Sequence, residues 1–444
     1  MSGDGPRAFS PASAAGHCSA IPGCFPQGLR RKPAFAVTQI ITHPTGNEFV
    51  RALLAECTKR AIDFHFFTTL GFTPGAPLLQ VVPRRLRAQL SRRAFEVPKE
   101  QLDTHPWRET VRLMAKGLRI NSLVRHERGW ASTDRVFQDF DAHVGRQIRR
   151  IAKVFPVKSV HAYEDSAIET FQAAREVGAQ CSYELPIAYW ETARRLLGEE
   201  ARRWPEWEPT LQATADSPDK RERKTAELEL ADTVICPSRF VLNSVPAKHR
   251  DKCRLAPFGS PALSECKPLP SAPQRPLRVL FAGTLSQRKG LADLFAAFQR
   301  LKRKDVELVV MGTPMLPMPF YRRQYPDFIY EPPRPHDEVL RLMQQCDLLA
   351  LPSIVEGRAL VQQEAMAAGL PIIVTPNAGG EDLVEEGRTG FLVPIRSPER
   401  LVEKIAWGAD HREEIAEMGR LARQKAATLT WGHYASLVME LWER

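Results

Sequence analysis

From Leu277 onward, short apolar runs alternate with helical stretches. The runs are Leu277–Gly283, Val306–Met311, Phe328–Tyr330, Leu348–Leu351 and Ile372–Thr375. Strands that alternate with helices in this way predict a parallel sheet covered by helices on both faces. The chain has 444 residues, which exceeds one compact core, so two domains are expected.

The first half carries the same rhythm less cleanly. Ala34–Ile41 reads as a first strand, the turn Thr42–Asn47 leads into a helix over Glu48–Ala61, and Asp63–Thr69 reads as a second strand. Residues 84–153 read mostly as Arg-rich helices. Val157–His161 and Ala179–Leu185 read as strands flanking a helix near Ser166–Val177. Residues 190–230 read as charged helices, and Val234–Ser238 as a strand that meets a helix near Arg239. A Pro-dense stretch over 257–276 fits an inter-domain linker. The expected organisation is a disordered leader over 1–32, a first domain over 33–256, the linker, a second domain over 277–430 and a terminal helix over 431–444.

The net charge of +10 is unevenly spread. Residues 51–160 carry 21 Lys and Arg against 10 Asp and Glu, whereas residues 261–444 carry 23 of each. The excess is densest at Arg84, Arg85, Arg87, Arg92 and Arg93, with a second group at Arg146, Arg149, Arg150 and Lys153. Two readings stay open: solvated helix faces, or a surface for an anionic membrane, a phosphate-bearing substrate or nucleic acid. Nucleic acid is disfavoured, because no reader motif or aromatic-interleaved platform accompanies the charge. No window approaches about 18 uninterrupted apolar residues, so no membrane-spanning helix is read. The first 32 residues lack the apolar run of a secretory signal. The eight Cys lack paired metal spacing and read as reduced cytosolic thiols; Cys18 and Cys24 lie close together in the leader.

Three segments carry chemistry. Gly283-Thr284-Leu285-Ser286-Gln287-Arg288-Lys289-Gly290 follows a strand and opens a helix, so its free N–H groups and its cations suit a diphosphate. Basic residues at such a turn are also ordinary surface charge. Glu356 follows the strand Asp347–Leu351, and Glu364 lies eight positions on, about two turns into the next helix. Both fall near the carboxyl edge of the sheet, where open α/β sheets bind ligands. Taken alone, this pair fits helix capping, an acid/base couple or a clamp on vicinal hydroxyls. Gly379, Gly380, Gly387 and Gly390 mark tight turns around the last strand, either plain or permitting close approach to a ligand.

In order, the phosphate turn with Lys289-Gly290, Glu356 and Glu364, Gly369-Leu370-Pro371-Ile372-Ile373-Val374-Thr375, Gly379-Gly380-Glu381-Asp382-Leu383-Val384 and Gly387-Arg388-Thr389-Gly390-Phe391-Leu392-Val393-Pro394 closely resemble the donor domain of retaining glycosyltransferases of family 4. The resemblance covers about residues 277–442. Over 34–256 it rests on His43-Pro44-Thr45-Gly46-Asn47 and on Glu227–Ser238. Trp431-Gly432-His433-Tyr434 resembles the family's terminal helix, which packs back on the first domain.

The resemblance implies an α/β fold of two Rossmann-like domains facing across a cleft, the GT-B arrangement. It implies a nucleotide-diphospho-sugar donor, no metal and no other cofactor. By position, Lys289 matches the lysine on the donor diphosphate, Glu364 the ribose carboxylate, Glu356 the group near the anomeric centre, and Gly46 the first-domain glycine loop. Gly283, Thr284, Gly357, Gly379 and Gly380 fall at donor-binding positions, with Arg288 as an added cation. The sequence departs from the family at Thr284, where many members carry Arg, and at Tyr183–Trp190, where many carry a first-domain His. His161 and Glu184 are candidate polar groups facing the cleft instead. The implied activity is sugar transfer with retention to a glycan, a lipid-linked or a small-molecule acceptor. An inactive sugar-nucleotide-binding scaffold and a GT-B sugar epimerase are the rival readings. The basic region over 84–153 adds the expectation of a cytoplasmic place with peripheral contact at an anionic inner membrane face.

Overall fold

The computed structural model describes residues 38–74, 93–261 and 275–442. The expected leader, Cys18 and Cys24, Arg84, Arg85, Arg87 and Arg92, and most of the Pro-dense stretch lie outside them. Two parallel sheets form the frame. The first contains β1 (Thr38–Thr42), β2 (Phe64–Thr68), β3 (Leu102–Thr104), β4 (Val157–Tyr163), β5 (Gln180–Glu184), β6 (Thr233–Cys236) and β7 (Cys253–Leu255). Their order is β3-β2-β1-β4-β5-β6-β7, with every pair parallel. The second contains β8 (Leu277–Ala282), β9 (Val306–Met311), β10 (Phe328–Glu331), β11 (Leu348–Leu351), β12 (Ile372–Val374) and β13 (Gly390–Leu392), in the order β10-β9-β8-β11-β12-β13.

In each sheet the order reverses beside the first strand, between β1 and β4 and between β8 and β11. Loops that leave adjacent strands toward opposite faces open a crevice at such a switch point. The apolar sequence of the second sheet explains its depth. Val279, Leu280, Phe281, Leu348, Leu349, Ala350, Ile372 and Ile373 are fully buried between helices on both faces.

The expected run of helices over 84–153 is corrected at one place, because Leu102–Thr104 is a strand. The helices around it are Trp107–Gly117, Asn121–Val124 and Thr133–Ile151. The terminal helix Trp431–Glu440 packs on Glu48–Lys59 beside the first sheet. Its Tyr434 meets Phe49 and Phe258 at ring distances of 6.3 and 5.7 Å. Thr430 caps its first turn by accepting from the His433 N–H.

The two halves also interlock in the other direction. The helix Trp190–Arg203 runs into a 3₁₀ segment, Pro205–Thr210. Trp207 from that segment is fully buried in the core of the second sheet, against Phe295, Phe320 and Tyr321. No helix among the described residues is long and apolar enough to cross a membrane.

Candidate functional site

The loop after β8 and the loop after β11 meet at the second sheet's switch point. Gly290 ends the first loop in the left-handed region, at φ 76°. A Cβ there would lie 2.0 Å from the Pro352 carbonyl oxygen, so glycine is what lets the loops touch. The Arg288 carbonyl accepts from the Ile354 N–H at 2.9 Å, which fixes their register. Gly283 leaves room for the Lys289 stem, whose Cδ would stand 2.9 Å from an added Cβ.

This packing delivers three charges to one point. Lys289 Nζ donates to Glu356 Oε2 at 2.6 Å, and Arg288 lies 3.0 Å from Glu356 Oε1. Arg288 also donates to the Val355 carbonyl at 3.0 Å. Burial opposes the Glu356 charge, but the two cations outweigh it and hold the carboxyl down at about 2. Burial lowers the Lys289 ammonium, with Glu356 pulling the other way. We read the group as an ionised carboxylate between two cations.

The glycine turn after β12 is tied to the same loop. Thr375 Oγ1 donates to the Ser353 carbonyl at 2.6 Å, and Asn377 Nδ2 donates to the Ile354 carbonyl at 2.8 Å. Gly379 thereby lies against the residue after Glu356, where a Cβ would stand 3.0 Å from the Gly357 carbonyl oxygen, while Gly380 packs on Val374 and Thr375. Thr284 is half-buried at the start of the turn after β8. Glu364 is set apart from this cluster. The helix Leu360–Ala368 begins later than expected, so Glu364 sits one turn into it rather than two. Burial pushes its carboxyl up, His336 at 3.6 Å draws it down, and the like charge of Glu48, across in the first domain, adds to the rise.

The first domain supplies the facing wall. Gly46, at φ 68°, packs under Phe95, and its N–H donates to His43 Nδ1 at 2.8 Å. The sequence reading gave His43 no role. Burial drives its imidazole down to about 3, so the ring is a neutral acceptor that shapes the Pro44–Gly46 loop. The ring packs on Tyr163 at 4.2 Å, and Nε2 is buried without a hydrogen-bond partner among the described residues. A cavity between the domains is lined by Glu164, Trp190, Arg194 and Lys224 from the first half and by Arg288 and Val355 from the second.

His161 and Glu184 need correcting. Neither faces the cleft. Both are buried on β4 and β5 beneath the terminal helix, with Tyr434 donating to Glu184 Oε2 at 3.1 Å and Trp442 beside the His161 ring. Burial raises Glu184 to about 8, against the Tyr434 hydrogen bond, and lowers His161 to about 3. Their 3.5 Å contact therefore joins two neutral groups at neutral pH.

Gln287 is a second residue that the sequence reading missed. Its side chain donates to Glu200 at 2.7 Å and to Asp293 at 2.8 Å, while its Oε1 accepts from the Ala292 N–H at 2.8 Å. Its own N–H donates to Thr210 Oγ1 at 3.1 Å. Glu200 and Thr210 belong to the first-half segment that carries Trp207. The turn over Gly283–Gly290 is thus braced from the other domain. No local signal marks this bracing role, because the partners of Gln287 in the first half lie 77 and 87 residues away.

Residues 276–410 match the family described as glycosyl transferases group 1. A D-inositol 3-phosphate glycosyltransferase from Corynebacterium glutamicum is 30% identical over 177 residues, covering 37% of this chain and 42% of the relative. A putative colanic acid biosynthesis glycosyltransferase, WcaL, from Escherichia coli is 29% identical over 172 residues, covering 35% and 41%. These matches span less than half the length of either relative. Among solved structures, sucrose-phosphate synthase from Thermosynechococcus elongatus superposes with a TM-score of 0.66 at 16% identity, over 92% of this chain and 98% of that one. Anabaena HepE in complex with UDP superposes at 0.59 and 16% identity, over 92% and 99%. The chain has the GT-B fold of two Rossmann-like domains, and the segment that matches glycosyl transferases group 1 is the one built on its second sheet.

Proposed function

We propose that this protein is a retaining glycosyltransferase that moves a sugar from a nucleotide-diphospho-sugar to a hydroxyl acceptor. The observation that carries this reading is the junction of Lys289, Arg288 and Glu356 at the switch point, inside the residues that match the family. In the proposed reaction the bond between C1 and the diphosphate oxygen breaks, with its electron pair going to the phosphate. The acceptor oxygen bonds C1 on the face the diphosphate leaves, and the acceptor's proton departs with the nucleotide diphosphate. Lys289 and Arg288 meet the charge that grows on the leaving group, together with the N–H groups of the turn after Gly283. Glu356 holds the transferred sugar, Glu364 clamps the ribose, and the Gly46 loop closes over the phosphates from the first domain. Gly357, Gly379 and Gly380 give the backbone close access to the donor. We assign the charge handling to these side chains rather than to a metal or other cofactor, so EDTA should leave turnover unchanged. UDP-sugars are the first donors to test, because HepE is known in complex with UDP.

The test is a thermal-shift and turnover panel of nucleotide-sugars on the wild type, Glu356→Gln and Lys289→Ala. A ligand at 100 times its Kd adds about 2.7 kcal/mol of stability. Lys289→Ala is expected to weaken nucleoside diphosphate binding by roughly 10- to 100-fold. Glu356→Gln should abolish most turnover while keeping or improving diphosphate binding, since it releases both cations. A donor that binds but shows no turnover dependent on Glu356 would favour a binding scaffold.

A further inference from the structure

The helix Trp107–Gly117 is turned inside out. Its charged face points inward: Glu109 is fully buried between Arg93 at 2.7 Å and Arg112 at 2.6 Å. Its apolar face points to solvent. Trp107 is 55% exposed, Met114 60% and, just past the helix end, Leu118 68%. These residues follow one another at helical spacing along one side. Ile120 and Trp130 extend the exposed strip, with Trp130 edge-on to Trp107 at 5.0 Å and the Arg108 guanidinium 4.4 Å above its ring. Large apolar groups set side by side in water mark a surface that something covers.

Charge says what covers it. Residues 107–130 hold six Lys and Arg against two Glu. Both Glu are engaged inward, Glu109 as above and Glu127 by accepting from the Ser217 N–H. Lys116, Arg119, Arg125 and Arg128 are exposed around the strip. An apolar crest with an aromatic pair, ringed by cations and with both Glu of its own segment turned inward, matches the interface of an anionic bilayer. Its place in the fold agrees. The helix leaves β3 at the carboxyl edge of the first sheet, and Arg93 ties it to the site loop by donating to the Thr45 carbonyl at 2.5 Å while holding Glu109.

We infer that Trp107, Met114, Leu118, Ile120 and Trp130 insert into an anionic lipid surface, with Arg119, Arg125 and Arg128 on the headgroups, and that this docks the acceptor side of the cleft at the membrane. The proposal deepens the glycosyltransferase reading by naming the surface on which a lipid-linked acceptor would be met.

The full-length protein is sedimented with vesicles of phosphatidylcholine alone and of equimolar phosphatidylglycerol and phosphatidylcholine. The wild type should bind the anionic vesicles, with a blue shift of tryptophan emission, and release as salt rises. Trp107→Ser/Met114→Ser/Leu118→Ser should bind at least about tenfold more weakly with an unchanged thermal midpoint. Arg119→Glu/Arg125→Glu/Arg128→Glu should lose the preference for anionic vesicles. Wild-type protein that binds neither vesicle overturns the proposal, as does a Ser variant that binds as the wild type does. A wild-type dimer that the Ser variant converts to monomers, without vesicle binding, also overturns it and gives the face to a second copy. Vesicle binding without nucleotide-sugar turnover would sink the enzymatic reading and leave this surface standing; turnover without vesicle binding would do the reverse.

Discussion

At the scale of residues, the site is a balance of buried charges, and position along the chain revealed part of it. Lys289, Arg288 and Glu356 were legible because each follows a strand that any reading of the apolar runs finds, and adjacent first and fourth strands bring such loops together. That Glu356 is ion-paired to both cations was not legible, since 67 residues separate it from Lys289. His161 and Glu184 were misassigned for a related reason. Strand alternation shows which residues share a face but not what covers it, and the cover here is Tyr434, 250 residues from Glu184. The buried Glu184 leads to a pH prediction. Its carboxyl rises from an ordinary 4.5 to about 8 on folding. The folded chain therefore holds a proton that the unfolded chain releases. Its stabilisation is complete below pH 4.5 and declines by roughly 1.4 kcal/mol per pH unit until the folded group ionises near 8. Glu184→Gln removes that slope. Denaturant melts at about pH 5 and about pH 8 should show the wild type losing more stability than the variant across the interval. Parallel losses would mean that Glu184 is ionised in the folded protein.

At the scale of elements, the long strands of the second sheet were readable almost to the residue, because uninterrupted apolar runs have no other stable home. The misses were Leu102–Thr104 and Cys253–Leu255, three-residue edge strands with a charged residue at the centre. Each is defined by its neighbour's hydrogen bonds rather than by any pattern of its own. The 3₁₀ segment Pro205–Thr210 escaped for a different reason. Its composition is that of a charged surface connector, yet it drives Trp207 into the other domain's core and sets Thr210 against the phosphate turn. Trp207→Ala should cost about 3–5 kcal/mol through the cavity it leaves. Because Trp207 contacts Phe295, Phe320 and Tyr321, the loss should fall on the second sheet and be read as a lowered midpoint in calorimetry. Thr210→Val, which removes the acceptor for the Gln287 N–H and the hydroxyl's own bond to the Trp207 carbonyl but leaves the Trp207 ring in place, should keep most of that stability and weaken donor binding. Equal thermal losses in the two variants would show that the segment is packing alone.

At the scale of the whole molecule, the two domains are held at a set separation by contacts that flank the site. Ser238 Oγ donates to the Gly357 carbonyl at 2.7 Å, and the buried Arg358 donates to the Pro237 carbonyl at 3.3 Å. Beneath them, Ala188, Leu197 and Leu211 from the first half form one apolar cluster with Ile354 and Val355 from the second. The halves also come close at Gly357, next to Glu356, where a Cβ would stand 1.6 Å from the Pro186 carbonyl oxygen. That oxygen belongs to backbone and cannot swing aside like a side chain. Gly357→Ala therefore has to push the two loops apart, and the hydrogen bond from Ser238 goes with them. The sheets themselves are untouched, so the cost should appear as geometry more than as loss of fold. Small-angle scattering should show a larger radius of gyration, and turnover should fall further than donor affinity, since Glu356 would be displaced relative to the first-domain wall. An alanine variant with wild-type scattering and wild-type turnover would show that the cleft tolerates this displacement, and that the separation of the domains is set elsewhere.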